Sequence, residues 1–377
     1  MIYADYSSTS INKPKCVADA VSEMILSNTG NPSRSTNACA MQSLRAVDKA
    51  RQSVAKFFGL KEYWNVGFTL NSTHSLNLAI KGSLCSQDHV ITSFWEHNSV
   101  LRPLYQVGAE ISILHKDSVG NPDTRFLKSY IKPNTKAIII NIMSNVSGNI
   151  IDLEPIKLFA KENDLLLILD ASQAAGQMDI KLDESFPRTL LAITGHKSLY
   201  GPMGVGALIS YKVDKLKPLL SGGTGINSFS TVQPECFPDV CEAGTLNLPA
   251  IMGLKSAIDW NMEQNLAEHY KRLKAIRKRL IEELSKEKNI TLYSNNLNGG
   301  PTIAINIGDN TSQDIAMKLE EQYGILTRAG AHCAPLFHKE YGTETQGMVR
   351  FSFGITSSDE DIDACIYAIK KLASQSL

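Results

Sequence analysis

The sequence predicts an α/β fold, in which strands and helices alternate along the first two-thirds of the chain and a smaller α+β unit follows. Short runs in the first part are apolar at nearly every position, as strands covered by helices on both faces are. The segments between them show the periodicity of amphipathic helices. At 377 residues the chain is long enough for more than one hydrophobic core. This alternation is typical of a mostly parallel sheet.

Several short runs predict the strands of that sheet. They cover residues 66–70, 90–94, 137–142, 165–170, 190–194 and 205–210. Helical periodicity covers residues 44–58, 75–84 and 153–163. Because a parallel α/β sheet places its ligand sites at the carboxyl ends of its strands, we expect functional residues just after these runs.

The last third of the chain has a different pattern. From residue 250 to about residue 286 it predicts one long, charge-rich amphipathic helix that connects the two units. Beyond that helix, strands are predicted at residues 290–293, 302–307 and 348–353, and helices at residues 312–323 and 359–373. The order of these elements indicates a smaller α+β unit.

The composition excludes several classes of function. A hydrophobic content of 43% and a charged content of 20% are those of a soluble globular protein. Lysine plus arginine and aspartate plus glutamate number 38 each, so no net charge attracts nucleic acid or an anionic membrane. The seven cysteines include no C-x-x-C pair, and the sequence shows neither a signal-like N-terminal segment nor an apolar stretch of membrane-spanning length. We therefore expect a cytoplasmic protein without a disulfide framework.

Two of the apolar runs end in residues of opposite charge. Asp170 ends the run that begins at residue 165, and Lys197 follows the run of residues 190–194. Pyridoxal phosphate needs both groups, because a lysine amine attaches it as a Schiff base and a carboxylate keeps its pyridine nitrogen protonated. A surface lysine and a strand-ending acid are the ordinary alternatives for either residue alone. Taken together, with Gln173 close by, they predict a site for this cofactor.

Five segments resemble the class V aminotransferase family and, within it, the cysteine desulfurases and selenocysteine lyases. They are residues 3–5 (Tyr-Ala-Asp), 170–173 (Asp-Ala-Ser-Gln), 194–202 (Thr-Gly-His-Lys-Ser-Leu-Tyr-Gly-Pro), 242–247 (Glu-Ala-Gly-Thr-Leu-Asn) and 328–334 (Arg-Ala-Gly-Ala-His-Cys-Ala). The resemblance covers essentially the whole chain. It implies a pyridoxal-phosphate enzyme of fold type I, with a mostly parallel seven-stranded sheet. It also implies a large domain of residues 13–250 and a small domain of residues 1–12 and 251–377.

The phosphate of the cofactor is expected at the start of a helix. Ser72 and Thr73 follow a predicted strand and open a helix, whose first backbone N–H groups favour an anion. An ordinary Ser/Thr helix cap is the alternative. By resemblance, Thr194 and His196 complete the phosphate site. Thr245 is implied to reach it from a second subunit, so that the active site belongs to a homodimer.

Other residues match those that hold the pyridoxal ring. His97 corresponds to the family's ring-stacking histidine, and an imidazole can also relay a proton, since its ordinary pKa is about 6.5. A lone histidine after a strand is otherwise a surface or capping residue. Asn145 resembles the asparagine that contacts the ring hydroxyl side and the substrate carboxylate. Gln173 is implied to donate to the same ring oxygen.

The resemblance implies an amino-acid substrate that is bound through its α-carboxylate. Arg350 lies in an alternating, strand-like pattern and matches the family's carboxylate-binding arginine, whose planar guanidinium suits bidentate contacts. Without the resemblance, an arginine in such a strand is usually solvent-facing. Arg328 and Asn145 are assigned to the substrate site as well.

Cys333 distinguishes the candidate reactions. A transaminase needs no nucleophilic thiol, whereas in a desulfurase a thiolate attacks the substrate sulfur and keeps it as a persulfide while alanine is released. Arg328 and His332 are expected to supply the positive charge that favours a thiolate. An inert, buried cysteine is the alternative. The flanking Gly330 and Pro335 instead predict a loop.

We therefore predict a cysteine desulfurase that depends on pyridoxal phosphate, uses Lys197, Cys333 and His97 as catalytic residues and passes sulfur to an acceptor protein. The alternatives left open are a selenocysteine lyase, another pyridoxal-phosphate lyase or aminotransferase, and a non-catalytic scaffold that keeps the fold. No metal site is predicted, because His332, Cys333 and His338 lack the further ligand pair of a zinc site.

The chain departs from the family pattern near the expected substrate entrance. Ser7 and Ser8 stand where alanines are usual, Asn37 where a histidine is common, and Ala331 where some members carry a second histidine. Substrate preference is therefore the property that the resemblance specifies least.

Overall fold

The computed structural model of the protein describes residues 1–27, 29–32, 37–294 and 296–375, and within them the strands form one large sheet and two small ones. The strands are β1 (Ile2–Tyr3), β2 (Val66–Thr69), β3 (His89–Ser93), β4 (Glu110–Leu114), β5 (Thr135–Asn141), β6 (Leu166–Asp170), β7 (Thr189–Thr194), β8 (Gly206–Tyr211), β9 (Ile290–Leu292), β10 (Thr302–Ile307), β11 (Ile325–Leu326), β12 (Arg328–Gly330) and β13 (Met348–Ser352). In this part of the chain the large sheet has seven strands, in the order β2-β8-β7-β6-β5-β3-β4. Strand β8 is antiparallel to both of its neighbours and the other pairs are parallel, which confirms the predicted fold class.

Helices cover both faces of the large sheet. They are α1 (Lys15–Leu26), α2 (Ala38–Phe57), α3 (Ser72–Ser83), α4 (Asn98–Val107), α5 (Leu127–Tyr130), α6 (Glu154–Glu162), α7 (Leu248–Glu263), α8 (Leu266–Leu284), α9 (Ser312–Tyr323), α10 (Pro335–Tyr341) and α11 (Asp359–Gln375). Along β5, Ile138 and Ile140 belong to one core cluster, whereas Ala137 and Ile139 belong to another. Both faces of the strand are thus buried, which explains its continuous apolar run. None of the described helices is long and apolar enough to cross a membrane.

The C-terminal part has its own sheet and core. Strands β12, β13, β10 and β9 form an antiparallel sheet in that order. Strand β1 pairs with β11, and Asp5 bridges to Ser352, so the N-terminal segment packs against the C-terminal part. Ala4 accordingly shares a core cluster with Leu280 and Phe351. The division into residues 13–250 and residues 1–12 with 251–377 stays a prediction.

The prediction of one long helix from residue 250 to about 286 is wrong. The segment forms two helices, α7 and α8, which are separated at Gln264 and Asn265. Gln264 has an extended backbone, with a ψ of 158°. The side chain of Asn265 then accepts a hydrogen bond from the backbone N–H of Glu268 and caps the second helix. Neither glycine nor proline stands at this break, so the sequence pattern alone does not reveal it.

Arg277 of α8 forms hydrogen bonds that link a loop of the large sheet to the C-terminal part. Its side chain is fully buried. It donates to the carbonyl oxygens of Ser147, Asn296, Gly300 and Thr302 and to the side chain of Asn149. These acceptors satisfy a buried guanidinium through hydrogen bonds instead of an ion pair. The loop held in this way, residues 144–149, carries Asn145.

Candidate active site

A cavity of about 280 Å³ lies where several strands of the large sheet end. Asn141, Asp170 and Thr194 are the last residues of β5, β6 and β7, and all of them line it. All of the predicted site residues line this cavity except Cys333 and Thr245. Those that line it are Ser72, Thr73, His97, Asn145, Asp170, Gln173, Thr194, His196, Lys197, Arg328 and Arg350. Further lining residues that the sequence did not single out for a role are Asn71, Ser99, Asn141 and Ser172.

Asp170 and Lys197 meet here because β6 and β7 are parallel neighbours. The register places Asp170 beside Ala192, so the segment after β7 passes the end of β6. Asp170 is 3% exposed, and its Oδ1 accepts a hydrogen bond from the backbone N–H of Ser172 at 2.9 Å. Burial lowers the pKa of Lys197 to about 8, although Asp170 opposes that shift. Roughly a tenth of such an amine is neutral at pH 7, which makes it a usable nucleophile and base.

The amino end of α3 faces the same cavity. Asn71 caps this helix by accepting a hydrogen bond from the backbone N–H of His74 at 3.0 Å. Ser72 and Thr73, the first residues of the helix, have backbone N–H groups that no acceptor within the helix can reach. The hydroxyl of Ser72 lies 2.7 Å from that of Ser172. Hydroxyls and a helix amino end together suit an anion.

His97 lies at the start of α4 and is neutral. Its side chain caps the helix by accepting a hydrogen bond from the backbone N–H of Ser99 at 3.1 Å. Burial, together with the charge of Lys197, lowers the pKa of His97 to about 4. Burial likewise lowers the pKa of His196 to about 4. Neither ring adds a positive charge near neutral pH, so the cations of the cavity are its lysine and arginines.

Several buried polar atoms of the lining residues have no hydrogen-bond partner among the described residues. They are Thr194 Oγ1, Asn145 Oδ1, Arg350 Nε and His332 Nδ1. A buried polar atom without a partner costs free energy, so such a set indicates a polar ligand. A carboxylate, a lysine, an imidazole and a hydroxyl-lined helix end are also the groups that pyridoxal phosphate requires. The residues present fit that cofactor.

Arg350 is engaged more fully than the sequence predicts. It is 1% exposed, and its NH2 group contacts Asp5 at 2.5 Å and Ser8 Oγ at 2.8 Å. Its NH1 group donates to the carbonyl oxygen of Asn145 at 3.0 Å. Ser8 Oγ also accepts from Arg328, at 3.1 Å. Both guanidinium groups therefore donate to the same hydroxyl of the N-terminal segment. The sequence gives no sign of this contact apart from the serine at a position where alanine is usual.

Cys333 lies in a strained loop, next to His332, which lines the cavity. Its backbone φ is 56°, in the left-handed region. Its carbonyl oxygen accepts from the backbone N–H of Asn98 at 2.8 Å. Its sulfur lies 3.8 Å from Arg328. The side chain is half-buried rather than enclosed, so the prediction of a loop cysteine agrees with the fold.

The expectation that His332 supplies positive charge to Cys333 is wrong. Burial and the neighbouring Arg350 lower the pKa of His332 well below its usual range, so the ring is neutral. Arg328 is the cation in contact with the sulfur. Among the described residues, no group of three or more His, Cys, Asp or Glu side chains could hold a metal ion.

Thr245 lies away from this cavity within one chain. It is exposed and accepts a hydrogen bond from Asn31 at 3.2 Å. Together with His74 it lines a different recess. Its role at the cavity, from a second copy of the chain, stays a prediction.

Comparison with known proteins agrees with this geometry. A model of the aminotransferase class-V family matches residues 2–365. A probable cysteine desulfurase of Vibrio cholerae is 27% identical, over 98% of this chain and 93% of the relative. The cysteine desulfurase CsdA of Escherichia coli is 29% identical, also over 98% of this chain and 93% of the relative. A solved apo structure of a cysteine desulfurase from Thermococcus onnurineus has a TM-score of 0.90 and 28% identity, over 99% of this chain and 95% of that one. The chain belongs to the class-V aminotransferase family.

Proposed function

We propose that this protein is a cysteine desulfurase that depends on pyridoxal phosphate and acts as a homodimer. The observation that carries the proposal is the meeting of Asp170 and Lys197 in one cavity, with the sulfur of Cys333 in contact with Arg328, which also lines that cavity. Cytoplasmic location fits the cysteines, all of which are free. Two similar proteins are named cysteine desulfurases, which supports the reaction, and the residues that line the cavity fit the cofactor.

The cofactor would be held by the residues that line the cavity. Ser72, Thr73, Thr194 and His196 would bind the phosphate, and Lys197 would form the covalent attachment. His97 would contact the ring, Asp170 would pair with the pyridine nitrogen, and Asn145 and Gln173 would bind the ring oxygen. When bound, pyridoxal phosphate supplies an electron sink for negative charge at the substrate carbon.

The substrate carboxylate would bind between the arginines. Arg350 keeps Nε and part of NH1 for this contact, because Asp5 and Ser8 occupy its NH2 group. Arg328 supplies a second guanidinium, and Asn145 an amide. Lys197 would take the proton from the α-carbon, as its lowered pKa permits.

Sulfur transfer then takes place at Cys333. Its thiolate, beside Arg328, attacks the sulfur of the bound cysteine. An S–S bond forms, and the Cβ–S bond breaks with its electron pair left on the substrate carbon. That carbon takes up a proton, the α-carbon regains the proton that Lys197 removed, and alanine leaves. The enzyme keeps one sulfur atom as a persulfide, so no external oxidant or reductant is consumed before an acceptor protein removes the sulfur.

A panel of substrates tests this function. The full-length protein, supplied with pyridoxal phosphate and a thiol reductant, receives cysteine, selenocysteine and alanine in parallel. We expect cysteine to yield alanine and sulfide in equal amounts. Selenide without sulfide would assign a selenocysteine lyase instead, and pyruvate or another keto acid would indicate a lyase or transaminase. No turnover of any substrate would favour a non-catalytic scaffold.

Thr245 provides the test of the shared site. We expect that mixing Lys197→Ala dimers with Thr245→Ala dimers, under conditions of subunit exchange, restores activity. Each heterodimer then combines an intact Lys197 with the partner's intact Thr245 at one of its two sites. Exposed apolar side chains near this segment, Phe229 and Val232, are available for subunit contact. Activity no greater than the sum of the parents, with exchange verified by native mass spectrometry, would contradict the shared site.

A further inference from the structure

One serine of the cavity contacts residues at the amino ends of two helices, α3 and α4. Ser99 lies in the first turn of α4, and its hydroxyl is 2.7 Å from Thr73 Oγ1 on α3. The same hydroxyl is 2.9 Å from Nδ1 of His97, and the backbone N–H of Ser99 lies 3.1 Å from that nitrogen. Ser99 is 8% exposed and lines the cavity. A single buried hydroxyl thus contacts a residue of the helix amino end and the imidazole.

These contacts fix the proton on His97. A backbone N–H only donates, so Nδ1 must be the accepting, unprotonated nitrogen. The ring is neutral near pH 7, because burial and Lys197 lower the pKa of His97 to about 4. A neutral imidazole with an unprotonated Nδ1 carries its proton on Nε2.

The Ser99 hydroxyl has one proton and two acceptors within reach. When Thr73 donates to an anion, the 2.7 Å contact between the hydroxyls of Thr73 and Ser99 needs the proton of Ser99. Nδ1 of His97 then accepts a hydrogen bond only from the backbone N–H of Ser99. When Thr73 does not donate elsewhere, it can donate to Ser99. The hydroxyl of Ser99 then donates to Nδ1 of His97. The state of Thr73 is thereby transmitted to His97.

We propose that Ser99 is a positioning residue, whose hydroxyl couples the anion-binding hydroxyl of Thr73 to the hydrogen bonding of His97. The proposal deepens the proposed function and rests on it, because it takes Thr73 as a phosphate contact and His97 as the ring contact. The coupling concerns side chains of this chain alone, so it is measurable without turnover.

The test is a double-mutant cycle read by NMR. Long-range proton–nitrogen spectra are recorded on the full-length protein saturated with pyridoxal phosphate and labelled with ¹⁵N-histidine, and His97→Gln assigns the His97 resonances. Thr73→Val keeps the size of the side chain but removes its hydroxyl, so Ser99 turns to Nδ1. We expect this substitution to shift the Nδ1 resonance when Ser99 is present and to leave it unmoved in a Ser99→Ala background. Ser99→Thr should restore the shift.

Ser75→Ala is the matched control. Ser75 also lies near the start of α3, but its hydroxyl pairs with Thr69 at 2.8 Å. This substitution should leave the His97 resonances in place. An equal shift in both backgrounds, no shift with Ser99 present, or a protonated Nδ1 would each overturn the coupling.

Activity separates this proposal from the proposed function. Ser99→Ala is expected to slow alanine formation from cysteine by about fivefold, the effect of one lost hydrogen bond, and Ser99→Thr to recover most of it. If the spectra behave as expected and no variant converts cysteine, the coupling stands and the desulfurase assignment fails. If cysteine is converted and the cycle shows no coupling, the desulfurase assignment stands and the coupling fails.

Discussion

Lys197→Ala is expected to abolish the covalent attachment of pyridoxal phosphate and to slow alanine formation by roughly 10⁴-fold or more. The residue lies beside Asp170 in the cavity, and its lowered pKa leaves part of the amine neutral and reactive. Non-covalent binding should remain, because the residues proposed to bind the phosphate, among them Thr73, His196 and Thr245, are untouched. The measurement is mass spectrometry after borohydride reduction, which fixes the cofactor to its lysine.

Lys13→Ala is the matched control for that experiment. Burial lowers the pKa of Lys13 to about 8 as well, and its amine lies 3.3 Å from the carbonyl oxygen of His196. It does not line the cavity as described. The control should therefore keep the covalent label. A label that persists in Lys197→Ala, or one found on another lysine of the unmodified protein, would contradict the assignment.

Cys333→Ala is expected to reduce alanine formation from cysteine by about 10²-fold or more, because no thiolate remains to take the substrate sulfur. Selenocysteine should lose less. The C–Se bond is weaker and selenide leaves more readily, so elimination can proceed without attack by the thiol. Steady-state rates with both substrates measure the difference.

Cys236→Ala serves as the control for this loss, because Cys236 is also a free, accessible thiol but lies elsewhere on the chain. Its rates should match those of the unmodified protein. Equal losses on both substrates in Cys333→Ala would indicate that this residue supports the loop and does not accept sulfur.

The sequence predicts the buried strands better than the exposed elements. The central positions of β5, β6 and β7 are buried on both faces and apolar, so the runs are easily recognised. Strand β4 was missed because it is only partly buried and begins with the exposed Glu110. Helix α4 was missed as well, since it is short and contains Pro103.

The candidate site, too, was predictable only in part. Asp170 and Lys197 were predictable, because residues that follow neighbouring parallel strands meet at one edge of the sheet, whereas Thr194 was predicted from the family resemblance. The contacts of Ser8 and Ser99 were not. Ser8 reaches Arg328 and Arg350 across more than 300 positions of the chain, 320 and 342 respectively, and only the folded chain brings such residues together. The neutral state of His332 likewise depends on burial, which the sequence of a loop does not reveal.

The most direct test of the proposed reaction locates the sulfur on the protein. The unmodified full-length protein, with pyridoxal phosphate bound and no reductant present, is incubated with cysteine, alkylated, digested and analysed by mass spectrometry. We predict one added sulfur atom on the peptide that carries Cys333, formed together with alanine and absent from Lys197→Ala. Sulfur on Cys236 or Cys241, or a keto acid product without any persulfide, would contradict a desulfurase that uses Cys333.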